Sequence, residues 1–498
     1  MTRRPDRSAP AGIIALAFAA VALLALLAGC GDAATQRSLA LSECRLPHFA
    51  QPAQCGTLEV PEDRAKPGGR EVKLFIAMLP ANTLTPKPDP LFILAGGPGQ
   101  AASQLAPFAA QLNALRRTRD ILLVDQRGTG KSSPLKCFAF EPERADPYET
   151  DPLPRARLCA DELRIDGIDA AQYTTTAWVA DLDAVRDALG YPRVNLWGGS
   201  YGSRVALEYL RRHADRVRTV VVDGVVPPTM KVTLDVWRTR DAALTAVIDA
   251  CRRTPSCAAA HPDPAETLAA IARDLGAGGR TIALTDPRTG ETKDVHVSID
   301  LVMGALQPLT YVPELSSLIP ELLSRAKAGD YAPLVATVDV VTANLADQMN
   351  PALHYSVTCA EDVPRIDADD RAKALGGVRA AALAEQIIAV CDAWPKGAMP
   401  ADFGTPVTSS VPVLLLSGEF DPVTPPAYAD AAAKTLSNSK HVVAAGMGHI
   451  VSSHGCVPRL IANFVENASF DKLPSDCLER LAKNARPPMW PDRLAPQP

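Results

Sequence analysis

"VNLWGGSYGSRVALEYL", residues 194 to 210, opens on an apolar run, turns through Gly198-Gly199-Ser200-Tyr201-Gly202 and continues with apolar residues at helical spacing. It reads as a strand, a sharp turn and a helix. Glycines at 198 and 202 let two backbones pass closely. The turn then presents the Ser200 hydroxyl above the strand end, in the G-x-S-x-G pattern of a nucleophile elbow. The other reading is an ordinary glycine-rich strand-to-helix turn.

A serine hydroxyl near neutral pH needs a base, and the base needs a carboxylate to orient it. Both follow in the chain. "LLLSGEFDPVTPP" (414–426) carries Asp421 just past a strand, and "AAGMGHIVS" (444–452) carries His449 in the loop after the next one. Ser200, Asp421 and His449 stand in the serine, acid, histidine order of α/β-hydrolases. Rival acids are Asp223, at the end of "VVVDG", and Glu419; rival bases are His441, which begins a strand, and His454.

Acyl transfer also needs an oxyanion hole. In this arrangement one donor is the amide after the nucleophile, here Tyr201, and the other lies in the loop after an earlier strand. "LFILAGGPGQAA" (91–102) ends in such a loop, with Gly97 the expected donor and Gly96 the alternative; Pro98 has no N–H. The loop does not meet the dinucleotide pattern G-x-G-x-x-G. Nor is "DQRGTGKS" (125–132) a phosphate cradle, because the position that needs the first glycine holds Asp125. Asp125 and Arg127 are expected to make internal hydrogen bonds or an ion pair beneath the oxyanion loop.

Around these motifs, "VKLFIAML", "LFILA", "DILLVD", "RVNLW", "TVVVD", "VPVLLLSG" and "HVVAA" are short β-rich runs separated by helical patterns. That alternation predicts a mostly parallel sheet flanked by helices. In "TTTAWVADLDAVRDALG" (174–190), Trp178, Leu182, Val185 and Leu189 share one helical face, threonines offer an N-cap and Gly190 a stop. Between Lys231 and Gly404 strand signals thin out and alanine- and leucine-rich segments take over. The expected organisation is a discontinuous core, with its first segment over 44–230 and its second over 405–498, interrupted by an inserted helical cap over 231–404.

"GGPG", "DQRGTGKS", "GGSYG", "GEFDPVTPP" and "GMGH", in this order, resemble the prolyl iminopeptidase and tripeptidyl aminopeptidase group of α/β-hydrolase serine peptidases. The likeness covers about residues 55–470, with a TAP-like C-terminal region, and departs at Ala95, where relatives often carry histidine. It implies an α/β-hydrolase fold with a cap, and a serine aminopeptidase that acts on peptides near a free N-terminus, without metal or organic cofactor. A carboxylic ester hydrolase with the same triad is the alternative. The resemblance also implies carboxylates that recognise the substrate ammonium, for which Glu361 and Asp362 in "SVTCAEDVPR" (356–365) are the candidates; the other reading is a solvated acidic loop. Thr424 is a further candidate for the site lining.

The N-terminus pairs a cationic "MTRRPDR" with an apolar run over 11–29, the layout of an export signal. Its end, Leu27-Ala28-Gly29-Cys30, resembles the bacterial lipoprotein box. This predicts a signal peptide over 1–29, lipid on Cys30, a tether over 30–43 and a membrane-attached enzyme outside the cytoplasm; an uncleaved membrane anchor is the other reading. Loss of 1–29 removes three arginines and one aspartate, so the formal charge of −5 becomes −7, with no basic footprint for nucleic acid. Of eleven cysteines, ten remain beside Cys30. An even number suits an oxidising compartment. Neighbour pairing is expected: Cys44/Cys55, Cys137/Cys159, Cys251/Cys257, Cys359/Cys391 and Cys456/Cys477.

Overall fold

Two four-residue strands without an exposed side chain, LFIL at 91–94 and ILLV at 121–124, lie within the sheet. Strands buried on both faces read as unbroken apolar runs, which is why these lack alternation. The structure, a computed structural model, describes residues 1–2, 39–141, 151–285, 290–337, 348–374 and 378–483, with main chain alone for 372–374 and 378–383. Residues 3–38, which hold the rest of the expected signal peptide, Cys30 and the expected tether as far as residue 38, lie outside them.

The strands are β1 (Ser42–Cys44), β2 (Ala53–Pro61), β3 (Glu71–Leu79), β4 (Leu91–Leu94), β5 (Ile121–Val124), β6 (Val194–Gly199), β7 (Val217–Asp223), β8 (Arg280–Thr285), β9 (Thr292–Val297), β10 (Val413–Gly418) and β11 (Ser439–Ala444). Nine form one sheet in the order β1-β2-β3-β5-β4-β6-β7-β10-β11. Pairing is antiparallel from β1 to β5 and parallel from β5 to β11. The loops carrying Gly97, Asp125, Ser200, Asp223, Asp421 and His449 therefore all leave the carboxyl ends of parallel strands. That edge is where open α/β sheets place their sites.

Two apolar layers cover the sheet. On one face pack helices α1 (Thr175–Ala188) and α2 (Tyr201–Arg212), through residues such as Trp178, Leu182, Val185 and Val205. Full burial of Leu182 or Val185 is worth about 1.5–3 kcal/mol each. The Thr174 hydroxyl caps α1 by accepting the Ala177 N–H at 3.2 Å, and Gly190, at φ +72°, ends it. Leu460, Ile461 and Phe464 belong to the opposite layer.

The segment expected to form a single cap divides. Residues from α3 (Val232–Arg253) to Val335 enclose a core of their own, with Leu244, Val247, Ile271, Leu306 and Leu323, and include the β8–β9 hairpin. By contrast, α4 (Pro351–Glu361) and α5 (Val378–Ala393) supply Leu353, Val357, Val390 and Cys391 to the core beside the sheet. The cause is local: α4 buries almost every side chain, and the Cys359–Cys391 disulfide ties it to α5. Among the described residues, no helix is long and apolar enough to cross a membrane.

The "DQRGTGKS" loop is held from within. Asp125 is buried and accepts the Ser103 N–H at 2.8 Å, the Ser103 hydroxyl at 3.1 Å and the Lys131 N–H at 3.0 Å. A side chain on Gly130 would meet its carboxylate at 2.3 Å. Arg127 makes a fork to Asp181 at 2.6 and 2.8 Å and donates to the carbonyls of Glu62 and Gln172. Both polar side chains are spent on the protein itself.

All ten described cysteines pair with their neighbours. The Cys359–Cys391 bridge spans 32 residues. In the chain-entropy model, a double Cys359→Ser, Cys391→Ser variant loses about 3–4 kcal/mol, measured as a lower urea midpoint with a steeper slope, since the unlinked denatured chain exposes more surface.

Candidate active site

Ser200 sits between β6 and α2 with φ +55° and ψ −125°, a conformation that costs an L-residue energy and persists only where its surroundings enforce it. A Cβ on Gly198 would lie 2.2 Å from the Gly202 carbonyl oxygen, and one on Gly202 would lie 2.1 Å from the Leu94 oxygen. Backbone occupies both spaces, so neither glycine has a substitute. The turn is stitched down by the Ser200 N–H, which donates to the Asp223 carbonyl at 2.8 Å. The Ser203 hydroxyl adds to this, donating to the Ser200 carbonyl at 2.5 Å and accepting the Val226 N–H at 2.8 Å.

Asp421 begins a tight turn after β10. Its Oδ1 accepts the N–H groups of Val423 and Thr424, each at 2.8 Å, and its Oδ2 accepts the Thr424 hydroxyl at 2.8 Å. The same carboxylate meets His449 Nδ1 at 2.9 and 2.8 Å. An ionised carboxylate accepts only, so Nδ1 carries the proton and Nε2 is left as a base. Burial pushes the Asp421 carboxyl up, but the His449 charge and the hydrogen bonds it accepts outweigh this and hold it below its ordinary value. Burial pulls His449 down, while Asp421 and, more weakly, Asp223 overcome that and raise it.

The histidine is gripped from two sides. Its N–H donates to the Tyr311 carbonyl at 2.9 Å, and the Tyr311 ring stands edge-on at 5.4 Å. On the other side a Cβ on Gly224 would come within 2.9 Å of His449 Cε1, so the glycine is needed for the imidazole to fit. Ser200 and His449 are thus brought to one turn: the amide of one bonds Asp223, and the ring of the other covers Gly224.

Gly97, Pro98, Ser200, Tyr201, Arg204 and Asp362 line one crevice. Gly97 has φ +109°, open only to glycine, and a Cβ there would strike Met349 at 2.6 Å. The Gly96 N–H instead faces the Gln100 side-chain oxygen at 3.4 Å. The Tyr201 hydroxyl is fixed by Thr175 at 2.7 Å and by Gln126 at 3.2 Å, which anchors the first residue of α2.

The two carboxylates at the end of α4 part company. Asp362 lines the crevice and pairs with Arg204 and Arg365, both at 3.0 Å. Glu361 accepts the Thr175 N–H at 2.6 Å and hydroxyl at 2.9 Å and stands 3.7 Å from Arg204, and burial pushes its carboxyl up to about 7. The sequence reading missed Arg204 and Tyr311. A signal existed for the first: Arg204 interrupts an apolar helix four residues after the nucleophile position. For Tyr311 there was none, since its hydrogen bond to His449 is made by a main-chain carbonyl and its ring reaches the imidazole from a distant insert.

The rival residues have other partners. The Asp223 carboxylate takes the amides of Val451 and Ser452, and Glu419 takes the Gly446 N–H at 2.8 Å. His441 forms a second serine-histidine-aspartate chain, with Nε2 3.0 Å from Ser417 Oγ and Nδ1 2.8 Å from Asp430. Ser417 is wholly buried within the regular strand β10, so this chain pins β10 and β11 to helix α6 (Pro426–Ala433). Loss of such hydrogen bonds costs about 1 kcal/mol each. His441→Ala accordingly lowers thermal stability with kcat within twofold of the parent, whereas His449→Ala loses turnover; differential scanning fluorimetry beside initial rates separates the two.

Two family models match the chain, one described as alpha/beta hydrolase fold over residues 89–254 and one as TAP-like protein over 378–477. A tripeptidyl aminopeptidase of Streptomyces lividans is 31% identical over 199 residues, 36% of this chain and 37% of the relative. The match thus spans little more than a third of that protein's length. The serine protease Hip1 of Mycobacterium tuberculosis is 25% identical over 408 residues, 75% of this chain and 77% of the relative. Carboxylesterase B of the same species is 27% identical over 414 residues, 75% and 76% of the two chains. With the parallel sheet and its elbow, these matches give the chain an α/β-hydrolase fold with a TAP-like C-terminal region, similar over part of its length to the tripeptidyl aminopeptidase group.

Proposed function

We propose that the chain is an exported serine aminopeptidase that cleaves peptides near their free N-terminus through an acyl-enzyme. Ser200 Oγ attacks the scissile carbonyl as His449 Nε2 takes its proton, with Asp421 holding the imidazole and stabilising the imidazolium. The N–H groups of Gly97 and Tyr201 receive the oxyanion. His449 then protonates the leaving amine, and water releases the acyl group by the same steps. The observation that carries this reading is the Asp421–His449 pair at 2.8 Å together with a serine at positive φ whose amide bonds Asp223, next to the Gly224 that the imidazole covers. The relatives named tripeptidyl aminopeptidase and serine protease support peptides as substrates. Asp362, in the crevice with Ser200, is the nearer of the two candidates for meeting a substrate ammonium.

A carboxylic ester hydrolase is the second reading. It is favoured by the relative named carboxylesterase B and by the pairing of Asp362 with two arginines, which offsets the charge an ammonium would seek. Chromogenic mono-, di- and tripeptide amides with free and blocked N-termini, assayed beside simple esters, separate the two. The aminopeptidase reading expects turnover of free N-termini only; equal turnover of blocked peptides sinks it. Ser200→Ala is expected to lower kcat/KM at least about 10⁴-fold, and activity that survives it sinks the mechanism.

The pH dependence has a definite sign. Only neutral imidazole accepts the serine proton, and Asp421 favours the charged form. The acid limb of kcat/KM therefore lies above histidine's ordinary 6.5, with rates falling as pH drops through it.

The same proposal places the enzyme outside the cytoplasm, attached through lipid on Cys30. Five disulfides support an oxidising compartment. Cys30→Ala is expected to move the protein out of the membrane fraction or leave it as uncleaved precursor, read by fractionation and intact mass.

A further inference from the structure

Asp223 ends β7 with no exposed surface and touches both halves of the site by different atoms. Its main-chain carbonyl accepts the Ser200 N–H at 2.8 Å. Its Oδ2 accepts the Val451 N–H at 2.9 Å, the Ser452 N–H at 2.7 Å and the Ser452 hydroxyl at 2.5 Å. Those are the second and third residues after His449. The Ser452 oxygen in turn accepts Trp197 Nε1 at 2.9 Å, and Trp197 lies three residues before Ser200 on β6. A closed circuit of hydrogen bonds thus runs from the nucleophile's strand, through the loop of the base, to Asp223 and back to the nucleophile's amide.

We propose that Asp223 is a positioning residue that fixes Ser200 and the His449 loop in one frame, and that its negative charge favours the imidazolium formed when His449 takes the serine proton. The proposal rests on the Ser200–His449–Asp421 reading. Two features argue for charge as well as shape. Oδ2 is saturated by three donors, while the buried Oδ1 has no hydrogen-bond partner among the described residues. An unpaired buried carboxylate oxygen is costly, and a purely structural clamp would be served by a neutral amide. The carboxylate also lies within electrostatic reach of His449: each group shifts the other toward its charged form, although burial still leaves Asp223 raised to about 6. Asp421 reaches the imidazole from the loop after β10, Asp223 from β7, and Arg240 and the Tyr311 ring from the insert, Arg240 opposing the two acids. Asp421 takes the ring nitrogen; Asp223 takes the main chain beyond it and the field.

Asp223→Asn separates frame from charge, since an amide oxygen still accepts from Val451 and Ser452. In the full chain, with a chromogenic substrate that the parent turns over, the expected result is a melting temperature within a few degrees of the parent and KM within about twofold. kcat falls about tenfold, because the imidazolium formed as His449 takes the serine proton loses a negative neighbour. The acid limb of kcat/KM moves to lower pH, because removing a negative neighbour lowers the pKa of His449. Parent-like kcat with an unmoved limb overturns the proposal, and so does a loss of kcat without movement of the limb, which would mark a purely structural role. Should Asp223→Asn fail to fold, Ser452→Ala keeps the carboxylate and removes its shortest hydrogen bond; it is expected to lower kcat by loosening the frame while leaving the acid limb in place, because the charge remains, and a parent-like kcat or a limb moved to lower pH overturns the proposal. Ser200→Ala, run alongside, distinguishes the two levels: an inactive Ser200→Ala beside a parent-like Asp223→Asn rejects the role of Asp223 alone, whereas an active Ser200→Ala rejects the triad itself.

Discussion

The structure depends on one crossing of main chain over main chain. At Gly198 and Gly202 the turn after β6 and the first turn of α2 press against each other and against the end of β4, with no room for a methyl group at either glycine. That crossing sets the Ser200 conformation, brings the Gly97 loop against Ser200, and starts α2 beside the crevice that Ser200, Tyr201 and Arg204 line. Energy stored in the unusual Ser200 dihedral is held by the sheet on one side and the Ser203 hydroxyl on the other. The site is a property of the backbone before it is a property of its side chains.

From that crossing outward, the protein spends its buried polar groups on alignment. Asp125 ties two loops, Tyr201 is fixed through its hydroxyl, and His449 is gripped by a carbonyl from the insert and a carboxylate from the core. Buried hydrogen-bonded groups of this kind are worth more as geometry than as net stability. The second serine-histidine-aspartate chain at Ser417 makes the point by contrast. It has the hydrogen bonds of a triad, but its serine lies inside a regular strand without a strained turn or a crevice.

The elbow and the central strands were legible in the sequence, because each is set by local chemistry; the cysteines stood out as neighbouring couples, but spacing alone does not fix connectivity. Two glycines around a serine can be read without knowing the fold, as can an apolar run such as ILLV. Asp421 and His449 were legible through their order and their places after strands. Residues whose role depends on distant neighbours were not. Tyr311 acts through a carbonyl that any residue could provide. Glu361 and Asp362 read as one acidic pair, yet successive helical residues point about 100° apart, so one faces Thr175 and the other the crevice. The cap division was hidden for a similar reason: α4 and the first insert helices share a composition and differ only in what they pack against.

If the chain is exported as proposed, the disulfide pattern has a meaning in time. From Cys44 onward, every bridge joins one cysteine to the next in the chain, and no bridge encloses another. A polypeptide threaded N-terminus first across a membrane exposes the second thiol of each pair before any later competitor has emerged. Oxidation in order of arrival then gives the finished connectivity without reshuffling. Cys30 alone could intrude on the first pair, and a lipid on its sulfur would remove it from the exchange.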